Sequence, residues 1–115
     1  MMGLKNKVQL IGNVGQEPTY TELDGGKKVA RFSLATNEDY KDKDGNKKTE
    51  TNWHTVVAWG KTAEFVHTYL KIGTNLALEG KLKSRSYPGE DGNTRYVTEV
   101  EAKEILLLGK KPVEN

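Results

Sequence analysis

A chain of 115 residues, 35% hydrophobic and 30% charged, holds one domain's worth of core, and its nine aromatics with evenly spread Val, Leu and Ile argue against disorder. Zero cysteines exclude a disulfide scaffold, a thiolate metal site and a cysteine nucleophile, while two histidines, His54 and His67, make no zinc site without carboxylate help. Eighteen Lys and Arg against sixteen Asp and Glu leave only +2, evenly spread over both halves, so a polyanion binder must gather its positive charge on one face.

Met1 to Lys7 contains no apolar stretch of the kind that marks a secretory signal. No apolar run reaches the roughly 18 residues of a membrane helix, so the expectation is a cytoplasmic protein with no membrane role. The dominant period is two. Val8, Leu10 and Val14 alternate with polar neighbours and predict a first strand. Asp24-Gly25-Gly26 closes a hairpin, and Phe32 and Leu34 alternating with Arg31 and Ser33 predict a second strand. Asp44-Gly45-Asn46 lies inside a polar stretch from Glu38 to Asn52. Its Lys- and Asp-rich part, Tyr40 to Lys48, reads as a solvated hairpin tip.

His54, Val56 and Ala58 alternate with Trp53, Thr55, Val57 and Trp59 in a third strand. From Lys61 to Lys71 the period changes. Thr62, Phe65, Val66, Tyr69 and Leu70 share one helical face, Glu64 stands in the first turn, Lys71 in the last, and Gly73 stops the helix. Leu76, Leu78 and Leu82 mark a fourth strand and Tyr96 to Ala102 a fifth. Pro88-Gly89 and Asp91-Gly92-Asn93 separate them. Ile105 to Leu108 also reads as strand. The predicted fold class is all-β: a five-stranded antiparallel OB-fold barrel, with one short helix between strands three and four. Residues 1–109 form this domain, and residues 110–115 are a short polar C-terminal end.

Trp53 and Trp59, six apart, leave an extended strand from the same face. Val56 and Ala58 fit a small barrel's interior, so the indoles face out. Lys81, Lys83, Arg85 and Tyr87 share a face of the fourth strand. Cations along a groove suit phosphates, and flat aromatics suit unpaired bases, each stack contributing roughly 1–3 kcal/mol. Tyr40 with Lys41, Lys43, Lys47 and Lys48 extends the track, although Asp39, Asp42 and Asp44 partly cancel those lysines.

Asn6-Lys7-Val8, Leu10, Gly12-Asn13, Gly15-Gln16 and Pro18 resemble the start of bacterial single-stranded DNA-binding proteins. Leu34-Ala35-Thr36, Trp53-His54, Val56-Val57, Gly60-Lys61, Tyr69-Leu70, Glu79-Gly80, Arg95-Tyr96 and Thr98-Glu99-Val100 continue the resemblance, in order and at nearly constant spacing. It implies an OB-fold homotetramer that wraps single-stranded DNA without sequence preference, in replication, recombination and repair, with no catalysis; beside it, the residues give no reason to expect a metal or cofactor. The implied stacking residues are Tyr40, Trp53, Trp59 and Tyr87. The implied phosphate contacts are Lys43, Lys61, Lys83, Arg85 and Arg95, to which the strand pattern adds Lys81. Some members carry Arg where Gly3, Thr21 and Thr55 stand here, and Lys5, Lys7 and Arg31 are candidates to compensate.

His54 corresponds to a position that supports subunit association. The first strand and Ile105 to Leu108 are further candidates for a subunit interface. Family members usually continue into an acidic, apolar tip that recruits replication and repair proteins. The segment 110–115 has none, so those partners are expected only where such a tail exists. Within the same fold class, single-stranded RNA and oligosaccharides are the alternative ligands, although a neutral sugar leaves the cations unused. Glu79, Glu99 and Glu101 lie on strands with nothing that brings them together as a catalytic pair.

Overall fold

The computed structural model describes residues 5–108; Gly3 and the segment 110–115 lie outside them. Strands β1 (Val8–Val14), β2 (Thr19–Glu22), β3 (Lys28–Lys41) and β4 (Lys47–Trp59) precede helix α1 (Gly60–Tyr69), and β5 (Asn75–Pro88) and β6 (Thr94–Leu107) follow it. The alternating apolar side chains point to one core. Phe32 and Leu34 of β3, Val56 and Ala58 of β4, Leu76 and Leu78 of β5, and Val100 and Ala102 of β6 are all buried there. Ala63 and Val66 of α1 and the following Leu70 join them, so the helix covers the barrel core.

The strands run in the order β1-β5-β6-β4-β3-β2, and β1 also pairs with β3 at Asn13↔Ala35 and Val14↔Leu34. That second pairing closes a five-stranded barrel, the OB-fold expected from the element order. One seam runs parallel: β4 meets β6 at Val56↔Val100 and Val57↔Glu101. Alternation along a strand carries no information about which non-consecutive strands meet, so it predicts antiparallel neighbours throughout. The β5–β6 register shifts beside Gly80, leaving Lys103 of β6 unpaired, and an added Cβ on Gly80 would lie 2.1 Å from the Glu101 carbonyl oxygen. Only a residue without a side chain lets the two backbones approach so closely.

β2 is a short edge strand paired with β3 from Thr19↔Arg31 to Glu22↔Lys28, and the Asp24–Gly26 turn joins the two as expected. Its four residues are too few to show an alternation in sequence. The polar stretch from Glu38 to Asn52 is mostly strand rather than loop. β3 and β4 stay paired out to Lys41↔Lys47, and the turn occupies only 42–46. There Asp42 Oδ1 accepts the N–H groups of Asp44 and Asn46, each at 2.9 Å. Nearly every residue of this arm is exposed, as are those of the β5–β6 arm beyond Lys81. Water on both faces leaves no apolar alternation to read in the β3–β4 arm, whereas the β5–β6 arm was legible from its alternating cations. The projecting arms raise the radius of gyration to 16.5 Å, against about 13 Å for a compact chain of similar length.

The helix begins and ends slightly earlier than its period suggests. Glu64 therefore lies beyond the first turn and pairs with Lys28 of β3, and Lys71 lies past the last turn. Leu70 turns inward, its N–H donating to the Val66 carbonyl at 3.0 Å, while Tyr69 stays exposed with its ring tilted against Phe65. His67 is exposed and stacks on Tyr20 at 4.2 Å between ring centroids. Gly73, at φ 89°, turns the chain into β5. Among the described residues no helix is long and apolar enough to cross a membrane.

Candidate nucleic-acid interface

The outward residues of four adjoining strands form one surface. On β4, Trp53 is 61% and Trp59 42% exposed, whereas Val56 and Ala58 are fully buried, so both indoles face out as their spacing requires. On β5, Lys81, Lys83, Arg85 and Tyr87 share a face, each opposite an outward residue of β6: Glu101, Glu99, Val97 and Arg95. The basic stripe and the indole strand are therefore not adjacent. β6 lies between them and brings two carboxylates onto the surface. Sequence periodicity placed residues on a face of each strand but could not place β6 in the middle.

Trp53 rests against the backbone of the segment after β1. A Cβ built on Gly15 would stand 2.2 Å from the indole Cζ3 and 3.1 Å from the Ser33 hydroxyl. Gly15 is held there by its N–H, which donates to the Ser33 carbonyl at 2.9 Å. Trp59 ends β4 at the start of α1 and lines a recess of about 440 Å³ with Gly26, Lys27, Lys28 and Gly60. Lys61 is exposed in the first turn of that helix. Tyr87 is 44% exposed, and the Arg85 guanidinium sits 5.9 Å from its ring centroid, within cation–π range. Arg95, opposite Tyr87, binds Asp91 at 3.1 Å across the hairpin tip.

Two of the expected contacts lie apart from this surface. Lys43 is exposed in the turn of the β3–β4 arm. Tyr40 is half exposed, but its register with Lys48 puts it on the face of the arm opposite to Trp53, whose face carries Asp39, Thr49 and Thr51. His54 faces inward and is half-buried, with Nε2 3.0 Å from the Thr36 hydroxyl.

The carboxylates moderate the stripe. Glu101 is held below the usual carboxylate range first by a hydrogen bond from Lys103 at 3.0 Å, with Lys81 and Lys83 adding their charge against the cost of burial. Glu99 is the buried charged side chain of this surface, 5% exposed. Its Oε2 accepts from Arg85 Nη2 at 3.2 Å and lies 3.8 Å from Arg31 Nε. Arg31 thus enters the site as a structural neighbour of Arg85, a relationship no spacing in the sequence announces.

A separate face of the barrel is apolar. Ile11 of β1 and Leu106 of β6 are each 64% exposed and line an open groove of about 510 Å³ with Ala77, rimmed by Glu79 and Glu104.

The chain matches the profile of the Single-strand binding protein family over residues 5–108. It is 45% identical over 115 residues to Single-stranded DNA-binding protein 1 of Xylella fastidiosa (strain 9a5c), covering 99% of this chain and 85% of that one. It is 42% identical over 107 residues to Single-stranded DNA-binding protein 1 of Chlorobaculum tepidum, covering 92% of this chain and 66% of that one. Among solved structures, the Plasmodium falciparum SSB complex with ssDNA aligns with a TM-score of 0.84 at 32% identity, over 95% of this chain and 99% of that one. The small single-stranded DNA-binding protein from Streptomyces coelicolor aligns with a TM-score of 0.71 at 27% identity, over 90% and 95% of the two chains.

Proposed function

We propose that this chain, which belongs to the Single-strand binding protein family, binds and protects single-stranded DNA without sequence preference in replication, recombination and repair. The observation that carries the reading is the pair of outward indoles, Trp53 and Trp59, on the same sheet as the Lys81–Arg85 stripe. Unpaired bases stack on Trp53, Trp59 and Tyr87, and the backbone phosphates meet Lys81, Lys83, Arg85 and Arg95. Lys61 extends the charge beside Trp59. Tyr40 and Lys43 engage DNA that passes around the edge of the β3–β4 arm. Every base has a π-face, so stacking tolerates sequence. Binding is the whole activity: no catalytic step, metal or cofactor takes part.

The protein acts in the cytoplasm, on the nucleoid, as a homotetramer. The Ile11–Leu106 groove and the region of His54 are the contact surfaces between copies. Replication and repair proteins are recruited only by forms of the chain that carry an acidic tail. RNA and oligosaccharides are the less favoured ligands, the latter because a neutral sugar gives the arginines and lysines nothing to neutralise.

Titration with poly(dT) and a matched duplex, read by tryptophan fluorescence at two salt concentrations, tests the reading. Quenching by the single strand, weakened by salt through counterion release, is the expected result. No quenching at low salt overturns it.

A further inference from the structure

Trp53 and Trp59 are six residues apart on β4, about 20 Å along an extended strand. Bases stacked as in a helix rise about 3.4 Å each, so one stacked base cannot bridge the two indoles. The stretch between them must also meet sugar and phosphate. β4 itself offers Thr55 and a buried Val57 there, and β6 offers the carboxylates of Glu101, opposite Val57 and paired with Lys103, and of the buried Glu99. Left alone, the Glu99 carboxylate would repel a phosphate from the centre of the surface.

The structure surrounds it with guanidinium instead. Arg31 stands opposite Val57 on β3, between the cross-strand positions of the indoles: Trp59 is opposite Val29, and Trp53 is opposite Ala35. Glu99 Oε2 lies 3.2 Å from Arg85 Nη2 and 3.8 Å from Arg31 Nε, one arginine on each side. The trio keeps one net positive charge. A guanidinium has five N–H donors in a fixed fork, and Glu99 uses few of them, so the rest remain for phosphate oxygens. Arg31 Nε is buried and makes no hydrogen bond among the described residues, while the side chain as a whole stays 41% exposed. The inner edge of the guanidinium thus sits in the surface without a partner, while much of the side chain stays open to solvent.

We propose that Arg31 is a phosphate-contacting residue, and that Glu99 is a positioning residue that fixes Arg31 and Arg85 between the two indoles. The proposal rests on the single-stranded DNA reading above and adds to it a contact and the group that orients it. The two claims fail separately. If the wild-type chain does not bind poly(dT), the reading itself falls. If it binds, the variants decide the proposal.

Binding of poly(dT) is measured across a salt series for wild type, Arg31→Gln, Glu99→Gln and Glu101→Gln, with circular dichroism confirming that each is folded. Arg31→Gln is expected to lose about tenfold in affinity and about 0.7 from the magnitude of the log–log salt slope, one phosphate's worth on a single strand. Glu99→Gln is expected to bind several-fold more weakly although it removes a negative charge from a DNA-binding surface. Glu101→Gln removes the same charge from the same strand and face, and is expected to bind more tightly. Tighter binding by Glu99→Gln, or an unchanged affinity and slope for Arg31→Gln, overturns the proposal. Should Glu99→Gln fail to fold, Arg31→Lys decides. A lysine keeps the charge but lacks the planar fork that can lie beside the Glu99 carboxylate and still donate to a phosphate, so it is expected to recover only part of the affinity, and full recovery overturns the positioning role.

Discussion

The indole of Trp53 occupies the space where a side chain on Gly15 would be: a Cβ there would lie 2.2 Å from Cζ3 and 2.8 Å from Cη2. The ring therefore has a backbone floor, which fixes its orientation before any base arrives. Gly15→Ala must tilt or lift the indole while leaving the barrel core intact, since Gly15 itself is outside that core. The expected outcome is a shifted tryptophan emission, a folded circular dichroism spectrum and single-stranded DNA affinity reduced about three- to tenfold, within the range of one weakened stack. Wild-type affinity in this variant would show that the floor does not matter.

Trp53→Ala separates platform from core. The side chain is 61% exposed, so its loss removes little buried apolar area and the melting temperature should move by only a few degrees. One stack contributes roughly 1–3 kcal/mol, so affinity should fall by about tenfold or more. An unfolded variant would mean that the ring is structural and that the surface has been assigned to the wrong face.

Gly80 tests the barrel rather than the site. Any side chain there meets the Glu101 carbonyl at 2.1 Å and the Ala102 Cα at 3.0 Å. Both are backbone atoms of a paired strand and cannot swing aside. Gly80→Ala should cost about 1–3 kcal/mol, the usual range for overpacking, read as a lower urea midpoint at unchanged m-value. An unchanged midpoint would mean that the β5–β6 pair can take up the strain of a side chain at this register shift.

What could be read from the sequence follows from what has a local period. Val56 and Ala58 inward with Trp53 and Trp59 outward needs only the alternation of one strand, and it holds. Phe65, Val66 and Leu70 reveal the helix by their spacing, although Tyr69 shares that spacing and is exposed because the helix ends there. The β3–β4 arm was hidden because its two faces meet water alike, so Thr49, Glu50 and Thr51 look like loop while they pair with β3. The position of Glu99 between Arg31 and Arg85 depends on β6 lying between β5 and β4, a long-range fact of topology. Tyr40 joins Trp53 in composition but not in register, and register becomes known only once the turn is placed at 42–46.

Acid should loosen the fold through three carboxylates. Glu64 is held below its ordinary range by the hydrogen bond and charge of Lys28, Asp91 by the backbone N–H of Asn93, and Glu101 by Lys103. A carboxylate whose folded pKa lies below its unfolded one stabilises the fold above the unfolded value, about 4. That contribution disappears as pH falls through the folded value. The melting temperature should therefore be level between about pH 7 and 5 and decline below about pH 4. Glu64→Gln should lie slightly below wild type at pH 7 and converge with it as pH falls through the lowered pKa of Glu64. The difference is small because Lys28 and Glu64 are both well solvated. A gap between the two that widens towards acid would contradict the pairing.

Ile11 carries the prediction about assembly. It points out of β1 with 64% of its surface in water, next to Leu106 and Ala77, in an open groove of about 510 Å³. An outward isoleucine in a strand whose other outward residues are Gln9 and Asn13 contributes nothing to its own barrel core, so its burial must come from another copy if the chain assembles. Charge at that point is costly only when it is covered, because a lysine ammonium taken out of water without a partner loses its hydration. Ile11→Lys should therefore leave the melting of the isolated barrel nearly unchanged while shifting the sedimenting species from tetramer to smaller forms at micromolar concentration. Trp53 and Trp59 lie on β4, which does not pair with β1, so binding of a short oligonucleotide per copy should persist. A wild-type chain that sediments as a monomer, or a variant that sediments as wild type does, removes this face from the assembly.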